Sequence, residues 1–271
     1  MQRILQTIKD FVSKDQDRLG DGKSSPLVDF VDRSQLLAPH DLIRLGTQYG
    51  GWIIPKNHAL TIDSICYLAG AGEDISFDCA LAKLFCCSVR IMDPTPRAIR
   101  HFEDLRHAVE EQRQFSINGS DADFYDISSR ELARMCFLPY GLADKDASMR
   151  FYMPKDPAHV SCSTVNLQKT EVYFSAQCYR LTTLKAQQGD TEIDLLKMDI
   201  EGGEYAVIKD FSTTHLPPRI LLVEFDEGHS PLDNYAGERI RESIGLLERM
   251  GMRCIALEGC NATFVRRSSK K

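Results

Sequence analysis

One short stretch of the chain, residues 64–78, constrains the fold more than any other part of the sequence. Its apolar start, ICYLA, is rich in strand-forming side chains, and Gly70, Ala71 and Gly72 follow directly. A helical pattern begins near Ile75. A strand, a tight glycine turn and a helix in this order are typical of a parallel α/β sheet that binds a nucleotide-like ligand at the end of its first strand.

The rest of the chain alternates between strand and helix signals. Strands are predicted at 64–69, 88–92, 135–140, 193–198, 219–225, 252–257 and 261–266. Helices are predicted at 75–87, 96–112, 182–188 and 234–250, and a further helix follows residues 199–204 and ends at about residue 210. Residues 145–180 form a long excursion with two short extra strands. This alternation predicts a doubly wound α/β sheet with helices on both faces.

The N-terminal part is predicted to be an extension of this domain. Residues 1–48 hold an amphipathic helical pattern near the start (its apolar face is Ile4, Leu5, Ile8, Phe11 and Val12), a polar linker or irregular lead-in at 15–36 and a short helix at 39–45. The glycines beside Trp52 predict a loop or short strand at the sheet edge. Residues 49–271 are predicted to form one Rossmann-like domain.

Composition excludes some classes of protein. The net charge of -6 argues against a general nucleic-acid binder. No apolar stretch is long enough to span a membrane, and the N-terminus lacks a signal-peptide core. The nine cysteines form no CxxC pair, which favours reduced thiols, no zinc site and a cytoplasmic location. The sequence does not indicate an oligomeric state.

The residues after the glycine turn (residues 70–72) indicate which class of ligand the turn favours. A dinucleotide fingerprint needs a third glycine at position 75, where this chain has isoleucine. Glu73 and Asp74 place negative charge where a pyrophosphate would lie, and each repulsion at about 4 Å is on the order of a few kcal/mol. A ligand with positive charge and no phosphate fits better, as S-adenosylmethionine would.

Asp93 ends the second predicted strand, 21 residues after Gly72. In a sheet of this kind that position faces the ribose hydroxyls, and a carboxylate accepts hydrogen bonds from both. The alternative is that Asp93 caps the helix that begins near Pro96.

Together these motifs resemble a known family. LAGAGEDISFD, RIMDPTPRAI and LLKMDIEGGEYAVI are similar to the FkbM-type S-adenosylmethionine-dependent methyltransferases, and more narrowly to the group that includes methyltransferase-like protein 24. The resemblance implies a seven-stranded Rossmann-like class I methyltransferase sheet. It also implies cofactor contacts at the glycine turn, at Asp93 and, for the adenine amino group, at Asp144. The adjoining residues Ala69, Asp74 and Pro94 are further cofactor-binding candidates.

Three carboxylates follow the fourth strand of the main pattern, in the segment DIEGGE. Asp199 and Glu201 are the predicted catalytic residues, acting as general base or positioning the nucleophile. A hard cation such as Mg²⁺ is an alternative that we do not favour, so no metal ligand is assigned. Glu201 and Glu204 have a structural alternative, because acidic residues stabilise the first turn of a helix.

Other polar residues near strand ends carry weaker predictions. Glu224 in an apolar strand is expected to face the cleft or to pair with a basic residue. Lys197 shares a strand face with Asp199, which favours an ion pair over a catalytic lysine. His159 and His229 lie in loops and are expected to be solvated. Tyr49 and Trp52 are expected to pack the N-terminal segment on the sheet or to form a wall of the cofactor pocket.

The sequence therefore predicts methyl transfer from S-adenosylmethionine to an oxygen nucleophile on a small molecule or sugar. One alternative is a catalytically silent Rossmann-like binding or scaffold protein, because fold alone does not establish activity. The other is a nicotinamide-dependent oxidoreductase, against which the missing third glycine argues.

Overall fold

The computed structural model describes residue 22 and residues 24–156, 161–166, 169–214 and 217–267. The predicted amphipathic helix near the N-terminus and His159 lie outside these residues. The strands are β1 (Leu42–Leu45), β2 (Trp52–Pro55), β3 (Ile65–Ala69), β4 (Ser88–Met92), β5 (Met135–Leu138), β6 (Gly141–Leu142), β7 (Ala147–Tyr152), β8 (Tyr173–Tyr179), β9 (Leu195–Met198), β10 (Ile220–Glu224), β11 (Met252–Glu258) and β12 (Asn261–Arg266). The α-helices are α1 (Ser76–Phe85), α2 (Pro96–Glu110), α3 (Ser129–Leu132), α4 (Leu181–Gln188), α5 (Glu204–Thr214) and α6 (Ala236–Arg249).

The main sheet has seven strands in the order β11-β12-β10-β9-β3-β4-β5. Neighbouring strands from β5 to β10 run parallel, whereas β12 is antiparallel to both of its neighbours. This confirms the predicted Rossmann-like class I methyltransferase sheet. Parallel strands end at the same edge, so the residues after β3, β4, β9 and β10 come together there.

Helices cover both faces of the sheet, as predicted. On one face α1 and α2 pack through side chains at helical spacing, among them Phe77, Leu81 and Phe102. On the other face α4, α5 and α6 contribute Leu184, Ile208 and Ile244, among others. The central strands are therefore apolar on both sides, and all four residues of β9 are buried.

The N-terminal segment differs from its prediction at residues 39–45. Only Pro39–Asp41 is helical, as one 3₁₀ turn, and Leu42–Leu45 pairs antiparallel with Trp52–Pro55. The apolar spacing in this short run fits a helix or a strand equally well, and the strand prevails because β2 supplies a partner. The β1–β2 hairpin packs on α1 and on β11, and Thr263 Oγ1 donates to Ile53 O at 2.7 Å.

Residues before the hairpin also pack on the domain. Leu27 is fully buried among side chains of the main sheet and its helices, and Ser25 Oγ donates to Gly259 O at 2.6 Å. The division of the chain between residues 48 and 49 stays a prediction, and the β1–β2 hairpin spans that point.

The long excursion and the preceding strand β6 form a separate small sheet. Strands β6, β8 and β7 lie side by side in that order, with β7 antiparallel to β8 over six residue pairs. This confirms the two extra strands that the sequence predicts. None of the described helices is long and apolar enough to cross a bilayer.

Candidate functional site

A cavity of about 370 Å³ lies at the edge of the main sheet where β3, β4, β9 and β10 end. Many of the predicted site residues line it, namely Gly70, Ala71, Gly72, Asp74, Asp93, Pro94, Asp199 and Glu201. Ala69 lies just behind the turn and is buried. Asp144 is exposed and does not line this cavity, although Gly141 and Leu142, just before it in the small sheet, do.

The glycine turn makes the closest backbone approach in the site. Gly70 has a φ of +82°, and a Cβ at this position would lie 1.7 Å from the carbonyl oxygen of Asp199. The amide of Asp199 in turn donates to Ala69 O at 3.1 Å. Only glycine fits here, both sterically and by backbone conformation. The turn after β3 and the turn after β9 are thus in direct contact.

Asp93 is buried and holds the glycine turn in place. Its Oδ2 accepts from the amides of Ala71 at 2.9 Å and Gly72 at 3.0 Å, and its Oδ1 accepts from the amide of Thr95 at 2.8 Å. The side chain therefore links the turn to the start of α2, which agrees with the capping alternative. A carboxylate has about four acceptor positions, so one position remains for a ligand hydroxyl.

The two carboxylates after the turn have partners, which changes the argument made from sequence. Glu73 pairs with Arg97, whose Nε lies 3.2 Å from Oε1. Asp74 is buried and accepts from Thr47 Oγ1 at 2.5 Å, Asn118 Nδ2 at 3.0 Å and the amide of Ser76 at 3.0 Å. Arg97 offsets the charge of Glu73, and the hydrogen bonds from neutral donors stabilise the carboxylate of Asp74, so repulsion of a phosphate is weaker than the sequence suggests.

Lys197 joins the two contacting turns. Its Nζ donates to Gly70 O at 2.6 Å and lies 3.3 Å from Asp199 Oδ2. The indole ring of Trp52 covers the ammonium, with its centroid 5.4 Å from Nζ. The predicted pairing of Lys197 with Asp199 is therefore present, and Asp199 keeps part of its side chain exposed to the cavity.

Glu201 and Glu204 occupy different environments in the turn after β9. Glu201 lines the cavity and has a left-handed backbone conformation, with a φ of +56°. Burial and the neighbouring Asp199 raise the pKa of Glu201, against a hydrogen bond from Ser161 that lowers it. Glu204 is fully buried and accepts from the amides of Ile200 at 2.8 Å and Gly202 at 2.9 Å, so it supports the turn.

A second pair of carboxylates comes from the end of β10. Glu224 and Asp226 both line the cavity, and burial, followed by the charge of neighbouring carboxylates, raises the pKa of each to about 9. Sequence reasoning singled out Glu224 and missed Asp226. The alternation of side chains along an extended segment was the available signal, since it places residues two apart on one side.

Two weaker predictions concern Tyr49 and His229. Tyr49 is 74% exposed, so it does not pack on the sheet and instead stands at the rim of the cavity. His229 is exposed, as expected for a loop histidine. Among the described residues no group of three or more His, Cys, Asp or Glu side chains is arranged to hold a metal ion.

The charge of the cavity defines the chemistry that it favours. Lys197 is the basic residue among the described lining residues, and Asp199, Glu201, Glu224 and Asp226 line the same cavity. A ligand with positive charge is favoured in such a site, and the carboxylates supply positions that bind or release a proton.

The FkbM methyltransferase domain model matches residues 88–254, which is more than half of the chain. The match includes Asp93 and all four cavity carboxylates after β9 and β10, and it begins after the glycine turn. A search of curated proteins finds no match.

Comparison with solved structures gives matches at low identity and low TM-score. A fibrillarin pre-rRNA processing protein of Methanococcus jannaschii aligns with a TM-score of 0.40 and 12% identity, over 78% of this chain and 69% of the other. A precorrin-6y C5,15-methyltransferase of Geobacter metallireducens aligns with a TM-score of 0.37 and 9% identity, over 77% and 84%. TYW2 of M. jannaschii in complex with AdoMet aligns with a TM-score of 0.30 and 10% identity, over 84% and 87%.

The sequence motifs, the strand order and the family match agree with one another. The chain belongs to the FkbM-domain family of S-adenosylmethionine-dependent methyltransferases.

Proposed function

We propose that the protein methylates a hydroxyl group of a small molecule or sugar, with S-adenosylmethionine as the methyl donor. The observation that carries this proposal is the direct contact between the glycine turn and Asp199. This contact sets a candidate cofactor site and a candidate proton acceptor side by side at one edge of the sheet.

The residues of the cavity fit the cofactor. S-adenosylmethionine carries a sulfonium and an ammonium group, and the lining has more carboxylates than cations. The glycine turn is open to close approach by the amino-acid end of the cofactor, and Asp93 keeps one acceptor position for a ribose hydroxyl. Pro94, Ala71 and Asp74 complete this side of the proposed cofactor site, and Asp144, which does not line the cavity, is left out of it.

The residues on the other side of the cavity would handle the acceptor. The bound cofactor supplies a methyl group that is already activated, so the protein has to orient the nucleophile and remove its proton. Asp199 is the proposed proton acceptor, because Lys197 provides a cation beside its carboxylate. Burial raises the pKa of Glu224 to about 9, so Glu224 favours the protonated form, which suits hydrogen-bond donation to the acceptor.

The subgroup within the family, the cellular compartment and the class of acceptor are also proposals. We place it in the group that includes methyltransferase-like protein 24, on the motifs LAGAGEDISFD and LLKMDIEGGEYAVI. The nine cysteines are all free thiols, which supports a reducing, cytoplasmic compartment. The charge of the cavity supports a small-molecule acceptor and gives no support to a nucleic-acid substrate.

Calorimetric titration with S-adenosylmethionine, S-adenosylhomocysteine and NAD tests the cofactor. We expect binding of the two sulfur compounds and none of NAD; binding of NAD alone, or of nothing, would refute the proposal. Incubation of cell extracts with cofactor carrying a labelled methyl group then identifies the acceptor. Asp199→Asn is expected to retain cofactor binding and to lose at least a hundredfold in methyl transfer, as general-base contributions indicate.

A further inference from the structure

Lys197 is a buried lysine in a strand that is otherwise apolar. The other residues of β9, Leu195, Leu196 and Met198, are fully buried, and Lys197 itself is 5% exposed. Burying a charge costs free energy, and replacing a buried ion pair by apolar residues is often neutral or stabilising. The packing of the sheet therefore gives no reason for a lysine at this position.

The contacts of the ammonium group all lead to the site. Nζ donates to the carbonyl of Gly70 at 2.6 Å and lies 3.3 Å from the carboxylate of Asp199. These two residues belong to different turns, one in the proposed cofactor site and one carrying the proposed base. The ammonium group of Lys197 thus contacts both the proposed cofactor site and the proposed base.

Carboxyl groups from three elements face Lys197. Asp199 follows β9, Asp78 lies in the first turn of α1, and Glu224 ends β10. Burial lowers the pKa of Lys197, and these carboxylates raise it, with a net upward shift that keeps the ammonium charged. The ring of Trp52 lies over the ammonium, so the hairpin limits its access to water.

We propose that Lys197 is a positioning residue for methyl transfer, which fixes the carbonyl of Gly70 and the carboxylate of Asp199 relative to each other. The inference rests on the proposed function, because it treats Gly70 as part of the cofactor site and Asp199 as the base. Without the ammonium, Gly70 O loses its donor and Asp199 faces the other carboxylates with no cation beside it.

Two variants separate this role from a contribution to folding. Lys197→Met keeps the length of the side chain and removes the charge, whereas Lys197→Gln keeps a donor for Gly70 O. We expect both to fold, with melting temperatures close to that of the wild type. We expect the affinity for S-adenosylhomocysteine to fall at least tenfold in Lys197→Met and less in Lys197→Gln.

A double-mutant cycle with Asp199→Asn tests whether Lys197 acts through Asp199. The cycle is read in methyl transfer from labelled cofactor in cell extracts, because Asp199→Asn is expected to retain cofactor binding. We expect the double variant Lys197→Met/Asp199→Asn to transfer methyl groups no more than threefold more slowly than the slower single variant, because the two residues act as a unit. Lys56→Met is the matched control, since Lys56 also donates to a backbone carbonyl, that of His40, on an exposed surface.

Each result decides between the two roles. Unchanged affinity in Lys197→Met, or additive losses in the cycle, would overturn the proposal. Failure of both variants to fold would also overturn it, since Lys197 would then be a residue required for stability. A wild-type protein that binds neither S-adenosylmethionine nor S-adenosylhomocysteine would instead refute the proposed function, which is a separate outcome of the same titrations.

Discussion

The carbonyl oxygen of Asp199 occupies the space that a side chain on Gly70 would need, 1.7 Å from an added Cβ. Gly70→Ala therefore combines a backbone clash with a φ of +82° that L-residues rarely adopt. Overpacking of this kind costs about 1–3 kcal/mol or more, and the left-handed conformation adds about 1–2 kcal/mol. We expect poor soluble expression or a melting temperature lowered by several degrees, and no measurable binding of S-adenosylhomocysteine.

Gly119→Ala is the control for backbone conformation alone. Gly119 has a φ of +66°, and an added Cβ there meets no atom within 4 Å. We expect this variant to lose only about 1 kcal/mol and to keep its cofactor affinity. Equal effects of the two substitutions would show that the contact between Gly70 and Asp199 has no special importance.

Asp93→Asn tests the link between the glycine turn and α2. An amide has one acceptor oxygen, so the substitution removes at least one of the three hydrogen bonds and the charge that strengthens the others. Hydrogen bonds to charged groups contribute about 1.5–3 kcal/mol, so unfolding by urea should show a loss on the order of 2 kcal/mol. The affinity for S-adenosylhomocysteine should fall at least tenfold. The exposed Asp63→Asn serves as control, and a similar result for both would contradict this role of Asp93.

Glu224→Gln tests the effect of burial on the cavity carboxylates. Burial raises the pKa of Glu224 from 4.5 to about 9, so the native state binds a proton more tightly than the unfolded state. The stability that depends on this group is present below pH 4.5 and is lost as pH rises towards 9. Glutamine resembles the protonated form at every pH. We expect the variant to melt about 3 °C or more above the wild type at pH 8.5, with a smaller gain at pH 5.5.

The control for Glu224→Gln is Glu242→Gln on the exposed face of α6. Its melting temperature should follow that of the wild type at both pH values. A Glu224→Gln variant that is less stable than the wild type at pH 8.5 would show that Glu224 is charged in the native protein. Asp226 shifts in the same direction, so part of the pH dependence remains in the variant.

Thr47→Val tests the attachment of the hairpin to the glycine turn. Thr47 Oγ1 donates to the buried Asp74 at 2.5 Å and accepts from the amide of Gly50 at 3.0 Å. Leaving these partners unsatisfied should cost about 1–3 kcal/mol in urea unfolding. Thr183→Val is the matched control, because Thr183 donates to Asp146 at 2.8 Å on an exposed surface, and it should cost well under 1 kcal/mol.

Much of the fold could be predicted because the residue patterns that indicate its strands and helices lie within short segments of the sequence. The apolar runs at 65–69 and 220–224 are bounded by turn residues, and Pro96, four residues after the end of β4, starts a helix. Leu42–Leu45 was predicted wrongly because four residues do not distinguish helix from strand. Its true state depends on pairing with Trp52–Pro55, which is a contact between separate segments.

The candidate site, like the fold, could be predicted only where the sequence pattern is local. Residues next to strand ends, such as Asp93 and Asp199, could be placed because parallel strands end at one edge. The partners of Asp74 could not, since Thr47 and Asn118 lie 27 and 44 residues away in sequence. Without those partners, Asp74 looks like a free charge in the sequence, and the argument against a phosphate ligand was overstated for that reason.

The left-handed backbone conformation at Glu201 lowers the stability of the protein, while its side chain is proposed to contribute to activity. Glycine adopts a φ of +56° without steric cost, and glycine occupies the next two positions, so Glu201→Gly should relieve strain of about 1 kcal/mol. It would also delete a carboxylate that faces the cavity. We expect this variant to melt at a higher temperature and to transfer methyl groups more slowly. That result would identify Glu201 as a residue that lowers thermal stability and increases activity.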